Sequence, residues 1–258
     1  MMPVVFVGHG SPMNAIENNE YTAGWKKIAA TIPKPTAILV MSAHWTTKGI
    51  KVSTVEQPET IHDFYGFPKE LYDIQYPAKG SRDFAFKTLK LLDGIGTADK
   101  SWGLDHGTWS VLRAMYPEAD IPVYQLSIDW QSSPQELYSI GKKLKSLRED
   151  GVLVIGSGNI VHNLGIIDFS RNEGYEWAQE FNEYINAHVE RRDFGKIFNY
   201  RELGGIARLS VPTTEHFYPL IYILGLTDEN DKLTIYNDTY VAGSLSMTSY
   251  VFSQKQKN

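Results

Sequence analysis

Four short apolar runs rich in β-branched residues constrain this chain most: Val4–Val7, Ala37–Met41, Val123–Ile128 and Val152–Ile155. Runs of four to six apolar residues bounded by turn signals read as strands covered on both faces. Helical patterns lie between and after them. Ser133-Pro134-Gln135-Glu136 offers a Ser N-cap, Pro at the first helical position and Glu at the capping-box position. Leu137, Ile140, Leu144 and Leu147 follow at helical spacing, and Gly151 is the expected stop. Ser81 opens another predicted helix, with Phe84, Leu89 and Leu92 on one side and Gly94 after it. Gly174 to Arg192 reads as a third, with Trp177, Phe181, Tyr184, Ile185 and His188 as its stripe. Strands alternating with helices predict an α/β domain with a mostly parallel central sheet flanked by helices. Leu233–Ile235 and Leu245–Phe252 alternate polar and apolar residues. They are expected as antiparallel edge strands with one wetter face. No repeat or linker interrupts the 258 residues, so one catalytic domain is expected over 1–258, with a loose tail from about residue 254.

Composition narrows the chemistry. There is no cysteine, which excludes a disulfide framework, a thiolate metal site and a thiol nucleophile. A transition metal would have to be held by His, Asp or Glu. The net charge of −5 argues against a nucleic-acid partner. No apolar run approaches the roughly 18 residues of a membrane span. Met1-Met2-Pro3-Val4-Val5 lacks the basic start of a signal peptide. No membrane association and a cytoplasmic location are therefore expected.

The seven histidines are not scattered evenly. Ligands of open α/β sheets bind outside the carboxyl ends of the strands. His9 follows the first run, in Gly8-His9-Gly10-Ser11-Pro12. His44 follows the second, in Ser42-Ala43-His44-Trp45, and His162 follows the fourth. All three would reach the same rim. His106 and His216 lie at loop-to-helix transitions, where functional groups concentrate. His62 belongs to an aromatic loop, His62-Asp63-Phe64-Tyr65-Gly66-Phe67-Pro68. Its His62, Phe64 and Tyr65 could wall an aromatic substrate or cap the core. His188, on a helical stripe, reads as packing. The chain has no His-Glu-x-x-His helix, Walker A loop or Gly-x-Ser-x-Gly elbow. Gly156-Ser157-Gly158-Asn159 lacks the third glycine of a dinucleotide turn.

Taken together, several segments resemble the LigB-type (class III) extradiol ring-cleavage dioxygenases. They are Gly8-His9-Gly10-Ser11-Pro12, Ser42-Ala43-His44-Trp45, the aromatic loop, Asp105-His106-Gly107 and Gly158-Asn159-Ile160-Val161-His162-Asn163. Glu215-His216-Phe217-Tyr218-Pro219-Leu220 and Gly243-Ser244-Leu245-Ser246-Met247 are most similar to the DOPA 4,5-extradiol dioxygenase branch. The resemblance runs from about residue 3 to about 250. It implies one mononuclear divalent metal that binds a catechol and O2. His9 and His44 match metal ligands, and His216 occupies the third position. His162 matches an acid–base histidine that is sometimes also a metal contact. His106 matches a second active-site histidine near the substrate. More distant relatives use Glu as third ligand, and Glu215 adjoins His216; the branch pattern favours His216. Fe(II) is expected for turnover, although three or four imidazoles suit Zn(II) equally. Alternative readings are a zinc-dependent hydrolase or lyase using a metal-activated water, and a metal- or catechol-binding protein without turnover. Oligomeric state is left open.

Overall fold

The apolar runs supply four adjacent strands of a six-stranded sheet in the computed structural model, which describes residues 1–254. Beyond residue 254, the expected tail lies outside the described residues. The strands are β1 (Val4–Gly8), β2 (Ala37–Ser42), β3 (Val123–Gln125), β4 (Val152–Gly158), β5 (Lys232–Tyr236) and β6 (Ser249–Ser253). Their spatial order is β3-β2-β4-β1-β6-β5. The first four are parallel, and β6 and β5 add an antiparallel edge. The principal helices are α1 (Glu20–Thr31), α2 (Arg82–Leu92), α3 (His106–Met115), α4 (Pro134–Lys143), α5 (Glu176–Glu190) and α6 (Tyr218–Leu226).

Both faces of the sheet are covered, as the unbroken apolar runs require. Successive side chains of a strand point to opposite faces. Val4 and Phe6 of β1, Leu39 of β2 and Val154 of β4 therefore share one core with α4, α5 and α6. Val5 and Val7, Ile38 and Val40, and Leu153 and Ile155 share the other with Trp25 of α1 and Trp109 and Leu112 of α3. Each fully buried large apolar side chain contributes about 1.5–3 kcal/mol.

Several boundaries differ from the sequence expectation. Val123–Ile128 splits: β3 ends at Gln125, and Ile128–Asp129 pairs instead with Thr46–Thr47. Leu245–Phe252 also splits, with Leu245–Ser246 pairing against Tyr240–Val241. The remainder, β6, lies between β1 and β5 rather than at the edge, and Ser249 to Phe252 are buried. Only β5 has the expected wetter face. The capping box at Ser133 forms, but α4 ends at Lys143; a 3-10 turn, Lys145–Arg148, precedes Gly151, whose φ of +80° starts the turn into β4. Ser81 makes no side-chain cap; its carbonyl accepts from the Ala85 amide at 2.9 Å.

Strand β4 runs past Ile155 through Gly156-Ser157-Gly158. A Cβ at Gly156 would lie 2.7 Å from the Pro219 carbonyl oxygen, and one at Gly158 2.1 Å from that of His216. The missing side chains let the start of α6 lie directly on the strand, which brings His216 to its end.

Behind the sheet, Arg148 and Asp231 form a fully buried bidentate pair, with N–O distances of 2.7 and 2.8 Å. Arg148 also donates to the carbonyls of Met2 at 2.7 Å and Leu226 at 2.9 Å. Removing one partner would strand a buried charge. Asp231→Ala should lower unfolding free energy by about 3–5 kcal/mol in urea titration. A loss below about 1 kcal/mol would contradict this account.

Candidate active site

The sheet places its histidines at one end. His9 immediately follows β1, His44 lies two residues beyond β2, and His162 four beyond β4. His106 is the first residue of α3, and His216 precedes α6. Gly8 lies against the Met247 backbone, 2.6 Å from where its Cβ would be, and Gly10 turns the chain away with φ +59°. Together they let His9 enter a crowded centre.

Four of the rings, those of His9, His44, His106 and His216, meet a partner at Nδ1. Ser157 donates its hydroxyl to the Gly107 carbonyl at 2.6 Å. Its oxygen therefore accepts from His9 Nδ1 at 3.0 Å, which leaves the His9 lone pair on Nε2. That Nε2 lies 3.1 Å from His44 Nε2. Asp63 Oδ2 faces His106 Nδ1 at 2.9 Å and His44 Nδ1 at 3.3 Å. Asp63 Oδ1 accepts from the His106 amide at 2.9 Å. Glu215 Oε1 lies 3.2 Å from His216 Nδ1. A neutral imidazole donating from Nδ1 keeps its basic nitrogen at Nε2.

The rings pack as a cluster. His9, His44 and His216 have centres 5.0, 5.1 and 5.2 Å apart, nearly an equilateral triangle. His106 lies 3.8 Å from His44, and His162 stacks on His216 at 3.4 Å with a 4° tilt. Potential ligand atoms of His9, His44 and His106 fall within 4.8 Å of one another, as do those of His162, Glu215 and His216. The buried group formed by His9, His44 and His106 could thus hold one metal ion.

Burial governs the protonation of this cluster. It pushes His9 and His216 well below the ordinary histidine range, and neighbouring imidazoles lower them further. His44 is lowered to about 3, by burial and His106, against the opposing pull of Asp63. His162 is lowered to about 4, by burial first, with Glu215 opposing. These four rings are neutral near pH 7 and keep lone pairs available. Burial alone would raise Asp63, but hydrogen bonds and charge from His106, and charge from His44, hold it below the usual carboxylate range. Fully buried Asp105 is raised by burial and by Asp63. It caps α3 through the Thr108 amide at 3.1 Å and accepts from Ser42 Oγ at 2.6 Å and Gln125 Nε2 at 2.7 Å.

A cleft of about 420 Å³ opens on the cluster, lined by Ala43, His44, Thr46, Ile128, Trp130, Thr214, Glu215 and His216. Trp130 is 56% exposed there, enough to offer its face to a flat ring. The three aromatic-loop candidates do not line this cleft. His62 Nε2 is 3.0 Å from the Ile74 carbonyl, and its ring packs against Phe64, Tyr72 and Trp109. Phe64 packs edge-on to His106 at 5.6 Å, and Tyr65 projects into solvent. His188 sits on α5 beside Tyr184 and Asp193, outside the cluster, as its packing reading expects. Sequence reasoning did not single out Asp63, Ser157, Trp130 or Thr214. Asp63 lay inside a quoted motif, and Ser157 inside a glycine-flanked strand; Trp130 and Thr214 carried no signal.

Comparison with known proteins fits this geometry. The family described as the catalytic LigB subunit of aromatic ring-opening dioxygenase matches residues 3–253. A protein of Escherichia coli (strain K12) named 4,5-DOPA dioxygenase extradiol is 46% identical over 254 residues, covering 96% of this chain and 93% of its own length. A Beta vulgaris protein of the same name is 36% identical, covering 96% and 95%. The crystal structure of an uncharacterized Escherichia coli K12 protein, JW3007, superposes with a TM-score of 0.86 at 42% identity, over 98% of this chain and 100% of that one.

Proposed function

From the premise that this chain belongs to the LigB family of aromatic ring-opening dioxygenases, we propose that its extradiol activity opens a DOPA-like catechol at one divalent metal held by His9, His44 and His216. The whole chain acts as one catalytic domain in this reading. The observation that carries the ligand assignment is the near-equilateral triangle of those three rings, of which His44 and His216 line the cleft and His9 is buried beside them. The donor set suits a metal ion. Two nitrogens bound to one cation at about 2.0–2.1 Å each lie about 3 Å apart, and the His9 and His44 Nε2 atoms are 3.1 Å apart. Fe(II), when bound there, supplies the electron transfer between catechol and O2 that Zn(II) does not, although Zn(II) fits the same imidazoles.

The chain's own groups do the rest. Trp130 stacks on the catechol ring from the wall of the cleft. His106 donates from Nδ1 to Asp63, so its Nε2 accepts a hydrogen bond from a catechol hydroxyl. His162 is neutral, takes one hydroxyl proton on its ring and returns it when the oxygen–oxygen bond breaks. Phe64 supports the substrate side from outside the cleft by packing on His106, with His62 packed behind Phe64, whereas Tyr65 projects into solvent and takes no part. The substrates are a small catechol and O2. The acidic chain supports no nucleic-acid partner, and its lack of cysteine supports a reducing, cytoplasmic setting. No helix among the described residues is long and apolar enough to cross a membrane.

The test is anaerobic loading with Fe(II), followed by air and a panel of catechols. A new visible absorbance from a ring-opened product should appear with one O2 consumed per turnover. No product from any catechol at full iron occupancy would defeat the proposal. His162→Ala should keep its metal and lose about 10²–10⁴-fold in turnover. Loss of the metal instead would move His162 into the ligand set.

A further inference from the structure

A second cleft, of about 570 Å³, adjoins the first. It is lined by Tyr200, Arg201, Ala207, Arg208, Val211, Pro212 and Thr214, and Thr214 belongs to both. Arg201 and Arg208 are the cations in either lining. They differ in what they are free to do. Arg201 Nε lies 3.3 Å from the Tyr200 hydroxyl, with its guanidinium 5.8 Å from that ring. The exposed Arg208 guanidinium has no hydrogen bond or ion pair among the described residues.

Arg208 is nevertheless tied to the catalytic end. It sits on the short helix Gly205–Ser210. The Ser210 carbonyl accepts from the His162 amide at 2.9 Å, and the Leu209 carbonyl accepts from Asn163 Nδ2 at 2.8 Å. The loop carrying His162 and the helix carrying Arg208 therefore hold each other in place. The metal cleft offers an anionic substituent no cation and one carboxylate, Glu215. Oε1 of Glu215 is already engaged by Thr213 Oγ1 at 2.7 Å and His216 Nδ1 at 3.2 Å. Glu215 repels a carboxylate, whereas Arg208, across the shared Thr214, offers one an unpaired guanidinium.

We infer that Arg208 receives the carboxylate of the substrate and selects catechols that carry one. The inference rests on the ring-opening reading for its substrate. A guanidinium pairs with a carboxylate through two parallel N–H···O bonds, which a point cation does not reproduce. Losing hydrogen bonds to a charged group weakens binding by about tenfold to a hundredfold.

The experiment compares wild type, Arg208→Ala, Arg208→Lys and Arg201→Ala, all as the full chain. Three probes share the catechol ring: L-DOPA, 3,4-dihydroxyphenylpropionate and dopamine, which has no carboxylate. With Fe(II) and air, Arg208→Ala should raise KM for the two carboxylated probes by about tenfold or more, with kcat little changed. The KM for dopamine should move less than about twofold. Arg208→Lys should recover part of the loss. Binding is read separately, by calorimetry on the Zn(II)-loaded protein, so the result does not depend on turnover. Carboxylate-specific weakening there, without ring opening of any probe by the iron form, would support the Arg208 assignment while refuting the ring-opening reading. Equal changes for all three probes, no change for any, or a carboxylate-specific loss in Arg201→Ala rather than Arg208→Ala would overturn it.

Discussion

His44→Ala should lose its metal and its ring-opening activity together. His44 packs against three of the other four rings of the cluster. Its Nε2 lies 3.1 Å from that of His9. Its ring is 3.8 Å from His106 and 5.1 Å from His216. Losing even an outer partner of a metal ligand typically costs 10–100-fold in affinity or activity. Removing the ligand itself should cost more, and we expect a fall of at least about a thousandfold in turnover. The fold should survive, because His44 is only partly buried and lies at a cleft mouth. Metal content per chain and the unfolding midpoint of the metal-free protein separate the two effects. A variant that keeps stoichiometric metal would remove His44 from the ligand set.

Asp63→Asn should be nearly as damaging, although the Asp63 carboxylate meets the rings at Nδ1 and not at the Nε2 proposed to face the metal or the catechol. One carboxylate serves two imidazoles and a backbone amide: it accepts from His106 Nδ1 at 2.9 Å and His106 N at 2.9 Å, and its Oδ2 lies 3.3 Å from His44 Nδ1. A carboxylate can do this because it is acceptor-only. Asparagine has one oxygen and one NH2, so it cannot accept on both sides. Either the His106 amide or a ring nitrogen would then meet a donor. If the NH2 faces the rings, at least one imidazole must move its proton to Nε2, on the side where a lone pair is needed. We expect a loss of 10–100-fold in metal affinity, read by competition with a chelator. A larger fall in kcat is expected, because His106 would also lose its orientation toward the catechol. Wild-type affinity together with wild-type kcat would show that Asp63 positions neither ring.

These two predictions mark where the sequence was readable and where it was not. The histidines were legible because strand ends are visible in a sequence, and strand ends in a parallel sheet point to one rim. The partners that orient them were not. Asp63 sits in an aromatic loop, and nothing local says that it will be placed between two rings 3.8 Å apart from separate parts of the chain. Ser157 and its flanking glycines were hidden differently. Glycine breaks the apolar pattern that identifies a strand, yet here it extends β4 because the His216 and Pro219 carbonyls approach too closely for a Cβ. Helix α6 is buried at every position, so it has no polar face to give a periodic signal. The edge strands were half legible. The alternation across Leu245–Phe252 was real, but a break in the strand at Met247 and Thr248 divides it between two pairings. Family resemblance supplied what periodicity could not, the grouping of His216 with His9 and His44.

The central claim is that this site places oxygen from O2, not water, into an aromatic ring. Turnover of a catechol by the Fe(II) protein under 18O2 in ordinary water tests it most directly, with the product trapped quickly and weighed by mass spectrometry. The account predicts product carrying both labelled atoms, apart from any aldehyde oxygen that exchanges with water. Product formed without label, and equally well in the absence of O2 with Zn(II), would contradict it and identify a hydrolytic or lyase site built from the same histidines.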